Sequence, residues 1–477
     1  MPDTYVAYHA LARPRAVAVI TPNRRVTYAQ FDADVNRFAA AFRALGVSPA
    51  TGVVSFDTRR VYRYHVALMA MIRLGVAAGV ASDPRCDLKL SDQPGATTER
   101  VWRLSPAWFA TVEAAEPVPI PSAPRDLDSL GRVMLSSGTT KVPRRVPSSW
   151  RQRLDRTAGS NVTDARGRLG VWAIQPGIDS GMGYSHSLLC WTLGATVAAG
   201  FSAAELVLLL ERNPEGLLGL TPSQLQVLLN TLPPGFEPKP DWRVIMSGAA
   251  LSPSLAREAR TRLSPDILVS YGATEIGRIA TGPASLLETT PGAVGWPGPG
   301  TCIEVVDDND QPVPVGVPGI LRIRASKAGT TYLDNAAASE TTFRDGYVYP
   351  GDLGRQMPAG FFVVDGRVDE RLNVHNVKVM PDLLENALRE HPDVSDAAAY
   401  AVPGPEGLDQ CWIAVVSNHE IPHDSLMACL RAAHTRLPPV HFAKAPEIPR
   451  NARGKIDREA LRAQTTAALH KKPGDGI

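Results

Sequence analysis

Alternating β-rich and helical segments, a length of 477 residues and two changes of texture, near Gly295 and after Asp369, place this chain in the α/β class. The expected architecture is a large N-terminal domain of α/β sheets over residues 1–368, carrying a β-rich subdomain at about 295–362, and a small α+β C-terminal lobe over 369–477. A chain of this size exceeds what one hydrophobic core usually supports, so more than one domain follows from length alone.

Thr27 and Gln30 form a capping-box pattern ahead of Phe31, Val35, Phe38, Phe42 and Leu45, which recur at helical spacing until Gly46 ends the run. RVMLSS (132–137), VWAIQP (171–176), WRVIMSG (242–248) and DILVSYG (266–272) read as strands, with Ser252 and Pro253 opening the helix between the last two. From about Gly295 to Phe362 short strands are punctuated by Gly, Asp and Pro turns. After Asp369 come the helix PDLLENALREH, the strands AAAYAVP and CWIAVVS, the helix DSLMACLRAAHTRL and the basic loop PRNARGKIDREAL. EPVPIPSAPRD (116–126) is a proline-rich surface connection, and the tail HKKPGDGI reads as disordered.

Composition narrows the function classes. A hydrophobic share of 44% and a charged share of 21% are those of a globular protein, and a formal net charge of +2 gives no field for nucleic acid or an anionic membrane. The partners expected are small molecules or proteins. Cys86, Cys190, Cys302, Cys411 and Cys429 are odd in number and lack CxxC spacing, which fits a reducing, cytoplasmic setting better than a disulfide framework or a zinc site. The N-terminus lacks the apolar run of a signal peptide, and the greasiest stretch, 65–81, is interrupted by Arg73.

Five ordered fragments carry the chemistry: SSGTT at 136–140, YGATE at 271–275, PGD at 350–352, GRVD at 366–369 and GKI at 454–456. A Ser/Thr/Gly loop can wrap phosphate oxygens, an aromatic can stack on a base, carboxylates can hold a metal and ribose hydroxyls, and a late lysine can meet developing charge. Taken singly, each has a plainer reading: a solvated turn for SSGTT, a core aromatic for Tyr271, a helix-start carboxylate for Glu275, a surface cation for Lys455. Together they outline a nucleotide site. In open α/β sheets ligands sit beyond the carboxyl ends of strands, where the SSGTT and YGATE segments fall.

These motifs, spread over more than three hundred residues and joined by RRVTYAQFDADVNRFAAAFRALGV at the start, resemble the adenylate-forming superfamily of acyl- and aryl-CoA synthetases, luciferase and peptide-synthetase adenylation domains. The resemblance implies ATP and Mg2+ as co-substrate and metal, a small-molecule carboxylic acid as substrate, CoA or the phosphopantetheine of an acyl carrier protein as acceptor, and a mobile C-terminal lobe. It assigns Ser136, Ser137, Gly138, Thr139 and Thr140 to the β and γ phosphates, and Tyr271 and Gly272 to adenine with Gly248 and Ala249 opposite. Thr274 falls to the α-phosphate, Glu275 to the metal, Asp352 to the ribose, Arg367 to ribose or phosphate, Asp369 to the hinge and Lys455 to catalysis.

Several positions depart from the family pattern. The phosphate loop continues Lys141, Val142, Pro143, Arg144 and Arg145, where Gly, a variable residue, Pro, Lys and Gly are usual. Arg144 can stand in for the lysine as a forked phosphate donor, the alternative being a partly closed loop. Pro350 replaces a threonine, a mild change that leaves Asp352 intact. After the hinge, Asn373, Asn376 and Leu383 stand where lysine, glycine and glutamate are common, and a side chain at 376 narrows the passage for pantetheine. The acceptor is therefore left open between a thiol and an amine or other nucleophile, and a non-catalytic nucleotide-binding relative is the third reading. QPGIDSGMGYSHSLLCWTLGATV corresponds to the family's acid pocket: GMGYS resembles the glycine-rich turn of benzoate-type ligases, and with Asp179, Gly181, Tyr184, Ala273 and Arg278 it implies a small aromatic or otherwise compact acid. Asp179 is either an amine-holding carboxylate or a solvated loop residue. Cys190 and His186, in an apolar stretch, are assigned to packing.

Overall fold

The capping box at Thr27 explains why the first long helix, Tyr28–Ala44, begins where it does: Gln30 N donates to Thr27 Oγ1 at 3.3 Å while Thr27 N donates to Gln30 Oε1 at 2.9 Å. Its Phe31, Val35, Phe38 and Phe42 are buried, each apolar side chain worth roughly 1.5–3 kcal/mol. Gly46, at φ +84°, ends the run in a conformation that disfavours a side chain. The computed structural model describes residues 1–136, 143–160, 170–374, 377–404, 409–433, 437–450 and 456–470.

Two large sheets pack around a core that gathers Phe31, Phe42, Phe56, Trp150, Trp172 and Trp191. In the six-stranded sheet, Leu130–Leu135 runs parallel to Ala77–Ala78 and antiparallel to Arg145–Ser149, so the connection 136–144 leaves its carboxyl end. In the larger sheet the strands Val17–Thr21, Thr196–Ala198, Val171–Ile174, Gly216–Leu220, Trp242–Met246 and Ile267–Ala273 are consecutive parallel neighbours. Fully buried runs such as Trp242–Met246 suit a strand covered on both faces.

The stretch expected as a small subdomain at about 295–362 extends this sheet. Ala293–Pro297 pairs with Gly277–Pro283 on one side and with Phe362–Arg367 on the other, and the ladder continues through Asp352–Gln356 to Gly319–Ala325. Pairing an otherwise open edge satisfies its backbone groups, and those partners are too distant in sequence to be read from local pattern.

Residues 372–470 build a separate core around Leu384, Leu388, Ile413 and Leu430, with the strands Asp396–Pro403, Asp409–Val416 and Val440–Lys444 in one sheet. Its helix Pro381–Arg389 ends against the large body: Ser254 N donates to Glu390 Oε1 at 2.9 Å, and Arg257 lies 3.8 Å from the same carboxylate. Asp457 and Arg458, expected within a basic loop, lead into the helix Arg458–His470. Among the described residues no helix is long and apolar enough to cross a membrane.

Candidate functional site

The strand Ile267–Ala273 delivers the first cluster. Ser252 Oγ caps the helix Pro253–Arg262 by accepting from Leu255 N at 3.3 Å, and the chain then returns through Ile267 and folds back antiparallel as Gly277–Pro283. The register slips between Tyr271 and Gly272, and a Cβ at Gly272 would stand 2.6 Å from the Gly277 carbonyl oxygen, so only glycine permits this tight return. Ala273 and Thr274 are half-buried at the tip, Glu275 is buried, and Arg278 begins the returning strand.

Asp352 comes from the neighbouring β-rich strands. Tyr271 donates its hydroxyl to Asp352 Oδ2 at 2.5 Å, and Arg367 donates Nη1 to Asp352 Oδ1 at 3.3 Å and Nε to Asp369 Oδ1 at 3.1 Å. Burial, reinforced by Asp352, holds the Tyr271 phenol far above its ordinary pKa, so it remains a donor. Asp369 lies exposed in the short turn Val368–Glu370. Four of the sequence-selected residues thus form one hydrogen-bonded chain from Tyr271 to Asp369.

A second cluster forms around Glu275. Tyr332 donates to Glu275 Oε1 at 2.7 Å, and the Arg144 guanidinium carbon lies 5.3 Å from the Tyr332 ring centroid. Arg145, by contrast, is committed to Asp83 at 2.8 Å and Asp334 at 3.2 Å. Ser136, just past the end of its strand, donates its N–H to the Arg144 carbonyl at 2.9 Å, and among the described residues its buried Oγ has no hydrogen-bond partner. Gly248 and Ala249 follow the strand Trp242–Met246 and are exposed, beside the Tyr271 strand. Ser137, Gly138, Thr139, Thr140, Lys141, Asn376 and Lys455 lie outside the described residues.

Three residues missed in the sequence hold this second cluster. Arg156 donates Nη1 to the Thr274 carbonyl at 3.2 Å, Nη2 to the Glu275 carbonyl at 2.7 Å and Nε to the Lys327 carbonyl at 3.0 Å. Burial, then Arg278 and Arg156, pull the Lys327 ammonium down to about 8. In WRQRLDRT the arginines look like a solvated helix face; no sequence signal marks Arg156 as buried, and nothing local singles out Tyr332 or Lys327.

The reading of GMGYS as a turn needs correcting. GMGYS is the first part of the helix Gly181–Leu193, capped by Ser180 Oγ accepting from Gly183 N at 2.8 Å, because that side-chain bond replaces a missing helical acceptor. A Cβ on Gly183 would lie 1.8 Å from the Gly177 carbonyl oxygen, so the glycine lets the helix start crowd the preceding loop. Asp179, half-exposed in the turn before this helix, is already engaged: it accepts from Arg132 Nη2 at 3.1 Å and from the Tyr64 hydroxyl. Tyr184 is 1% exposed, with the Arg132 and Arg153 guanidinium carbons 4.4 and 5.5 Å from its ring centroid. The arginine inside the apolar strand GRVML was the one legible sign of this arrangement. His186 and Cys190 are buried farther along the helix, where burial also raises the Cys190 thiol.

The AMP-binding enzyme family model matches residues 6–88 and 78–333. Over 503 aligned residues the chain is 25% identical to a fatty acid–[acyl-carrier-protein] ligase of Streptomyces coeruleorubidus, covering 96% of this chain and 95% of that protein. Two solved structures share the fold. ATP-bound MatB from Rhodopseudomonas palustris has a TM-score of 0.85 at 21% identity, over 99% of this chain and 100% of the other. The amide bond synthetase McbA from Marinactinospora thermotolerans has a TM-score of 0.81 at 21% identity, over 98% and 100%. The chain therefore belongs to the AMP-binding enzyme family, within the adenylate-forming superfamily of acyl- and aryl-CoA-synthetase-like ligases.

Proposed function

We propose that the protein uses ATP to adenylate a compact carboxylic acid and passes the acyl group to a pantetheine thiol, of CoA or of an acyl carrier protein. The observation that carries this reading is the meeting of Tyr271, Asp352 and Arg367 on the strand of the hairpin and of Glu275, Tyr332 and Arg144 at its tip. A carboxylate attacking the α-phosphorus of ATP is one anion approaching another, so charge must be neutralised and the approach fixed before pyrophosphate leaves.

In this reading the Tyr271 ring, with Gly272, Gly248 and Ala249, holds adenine, Asp352 takes the ribose hydroxyls and Arg367 steadies that carboxylate. The segment Ser136–Thr140 holds the β and γ phosphates, aided by Arg144, and Thr274 meets the α-phosphate. Ser136 Oγ, buried and without a partner among the described residues, suits a ligand oxygen. Glu275 supplies the one hard carboxylate oxygen that Mg2+ needs when nucleotide phosphates and water complete its shell. The bound metal would draw charge from those phosphates. Lys455, carried by the lobe 369–477, bridges the attacking carboxylate and the α-phosphate, and the lobe turns on the body 1–368 at Asp369.

Lys455→Ala should abolish acid-dependent exchange of labelled pyrophosphate into ATP. Undiminished exchange in that variant would remove the lysine from the mechanism. Asn376, a side chain where the family pattern has glycine, favours an amine or other non-thiol acceptor as the second reading. Product masses with CoA, a carrier protein and amines supplied separately distinguish the two.

A further inference from the structure

Arg132, Arg153 and Tyr184 form a buried cationic group that the assignments above leave unused. Arg132 is 0% exposed and Arg153 4%. Among the described residues, the buried Nη1 of Arg132 and Nη2 of Arg153 have no hydrogen-bond partner. Arg132 pairs with the carboxylate of Asp179, whereas among the described residues no carboxylate pairs with Arg153; its Nε donates to the Ser148 hydroxyl at 2.6 Å. A guanidinium does not give up its proton in a protein, and a buried charge ordinarily has a counter-ion. Burial, with Arg156 alongside, also pulls Arg153 well below its usual pKa, a measure of how poorly its charge is compensated.

Both guanidinium carbons converge on the Tyr184 ring, in the first turn of the helix Gly181–Leu193. Arg153 is three residues from Arg156 on the helix Trp150–Ser160, about 4.5 Å of helical rise from the residue that grips the Thr274 and Glu275 carbonyls. Asp179 remains 41% exposed at its side chain, so the Arg132 pair reaches from this group towards solvent.

Resting on the ligase reading, we propose that the compact acid carries a second carboxylate, and that Arg132 and Arg153 receive it through their unpartnered N–H groups while the first carboxylate is adenylated. The cation pair selects a diacid by leaving two buried donors unsatisfied whenever a monoacid binds. Tyr184 is the face on which both guanidiniums are stacked and fixes their direction.

The experiment compares matched acids, isophthalate against benzoate and glutarate against pentanoate, by acid-dependent pyrophosphate exchange on wild type, Arg153→Met and Arg153→Lys. Wild type should favour at least one diacid over its monoacid by tenfold or more in kcat/KM. Arg153→Met should cut that ratio at least tenfold, and Arg153→Lys should restore part of it. A thermal-shift titration with the same four acids in the absence of ATP provides a second readout, in which the diacid should stabilise wild type and not Arg153→Met. A monoacid used as well as its diacid partner in both pairs, a ratio unchanged within twofold in Arg153→Met, or no diacid response in either assay would overturn the proposal. Strong exchange with monoacids alone would leave the ligase reading intact and refute this inference. Diacid stabilisation that depends on Arg153, without exchange for any acid, would keep this site and refute the ligase reading.

Discussion

Arg156→Met is the most informative perturbation of the YGATE turn. One guanidinium holds three carbonyls, those of Thr274, Glu275 and Lys327, while being 6% exposed itself. Charge-assisted bonds of this kind contribute roughly 1.5–3 kcal/mol each. Against them stands the desolvation of the cation, which pulls its pKa below the usual guanidinium value to about 10, roughly 3 kcal/mol that the apolar variant no longer bears. The Glu275 carbonyl also keeps the Gly329 N–H at 2.7 Å, so it is not orphaned completely. The expected net loss is about 2–5 kcal/mol, concentrated on the turn. A protein with several cores need not unfold in one step, so local opening is the better observable. Native-state hydrogen exchange should show faster exchange at 273–277 and 327–329, with the core strand Trp242–Met246 unaffected. Because Thr274 and Glu275 shift together, kcat/KM for pyrophosphate exchange should fall by about a hundredfold, the usual cost of displacing a reacting geometry by about an ångström. Unchanged protection at 273–277 together with wild-type exchange kinetics would refute the argument that this arginine holds the turn.

Lys327→Met tests a buried charge with a defined pH signature. Because the folded value is about 8 and the unfolded one 10.5, the unfolded chain binds more protons between those limits, and wild-type stability rises with pH there. The variant should be more stable than wild type at pH 7 by up to about 3 kcal/mol, less where water reaches the ammonium. That advantage should fade above pH 8; a melting-temperature difference that is flat from pH 7 to 9.5 would contradict the assignment. Arg458→Met should loosen the C-terminal unit. Its Nη2 donates to the buried Glu385 at 2.7 Å, its Nε donates to the Ala399 carbonyl at 3.0 Å, and its Nη1 lies 3.5 Å from Glu370, next to the proposed hinge. Leaving that carboxylate with Arg389 at 3.5 Å and the Ala399 N–H at 3.0 Å should cost about 1–3 kcal/mol, seen as faster limited proteolysis within 369–477, and a second change, Glu385→Gln, should recover part of it. Equal cleavage rates for wild type and Arg458→Met would sink this reading.

Much of the scaffold was legible from local pattern alone. The Thr27–Gln30 box, the Ser252–Pro253 helix start and the strand runs at 132, 171, 242 and 266 all appear where their residues suggest, because caps and periodicity operate over three or four neighbours. The order of the nucleotide motifs was likewise written in the chain. Their mutual contacts were not: Tyr271 meets Asp352 across 81 positions, and Tyr332 meets Glu275 across 57.

Sequence by itself determined the family, the α/β class and which residue types stand at the motif positions, since each depends on identity and short-range spacing. Tertiary structure decided which of the arginines are solvated and which are interior, and which carboxylates are already engaged. Asp179 shows the difference: read alone it was an amine-holding or solvated acid, and the fold gives it Arg132 from 47 residues away. The reason is dielectric as much as geometric, for the same guanidinium is an unremarked surface cation in water and a demand for a partner once a sheet and two helices have closed around it.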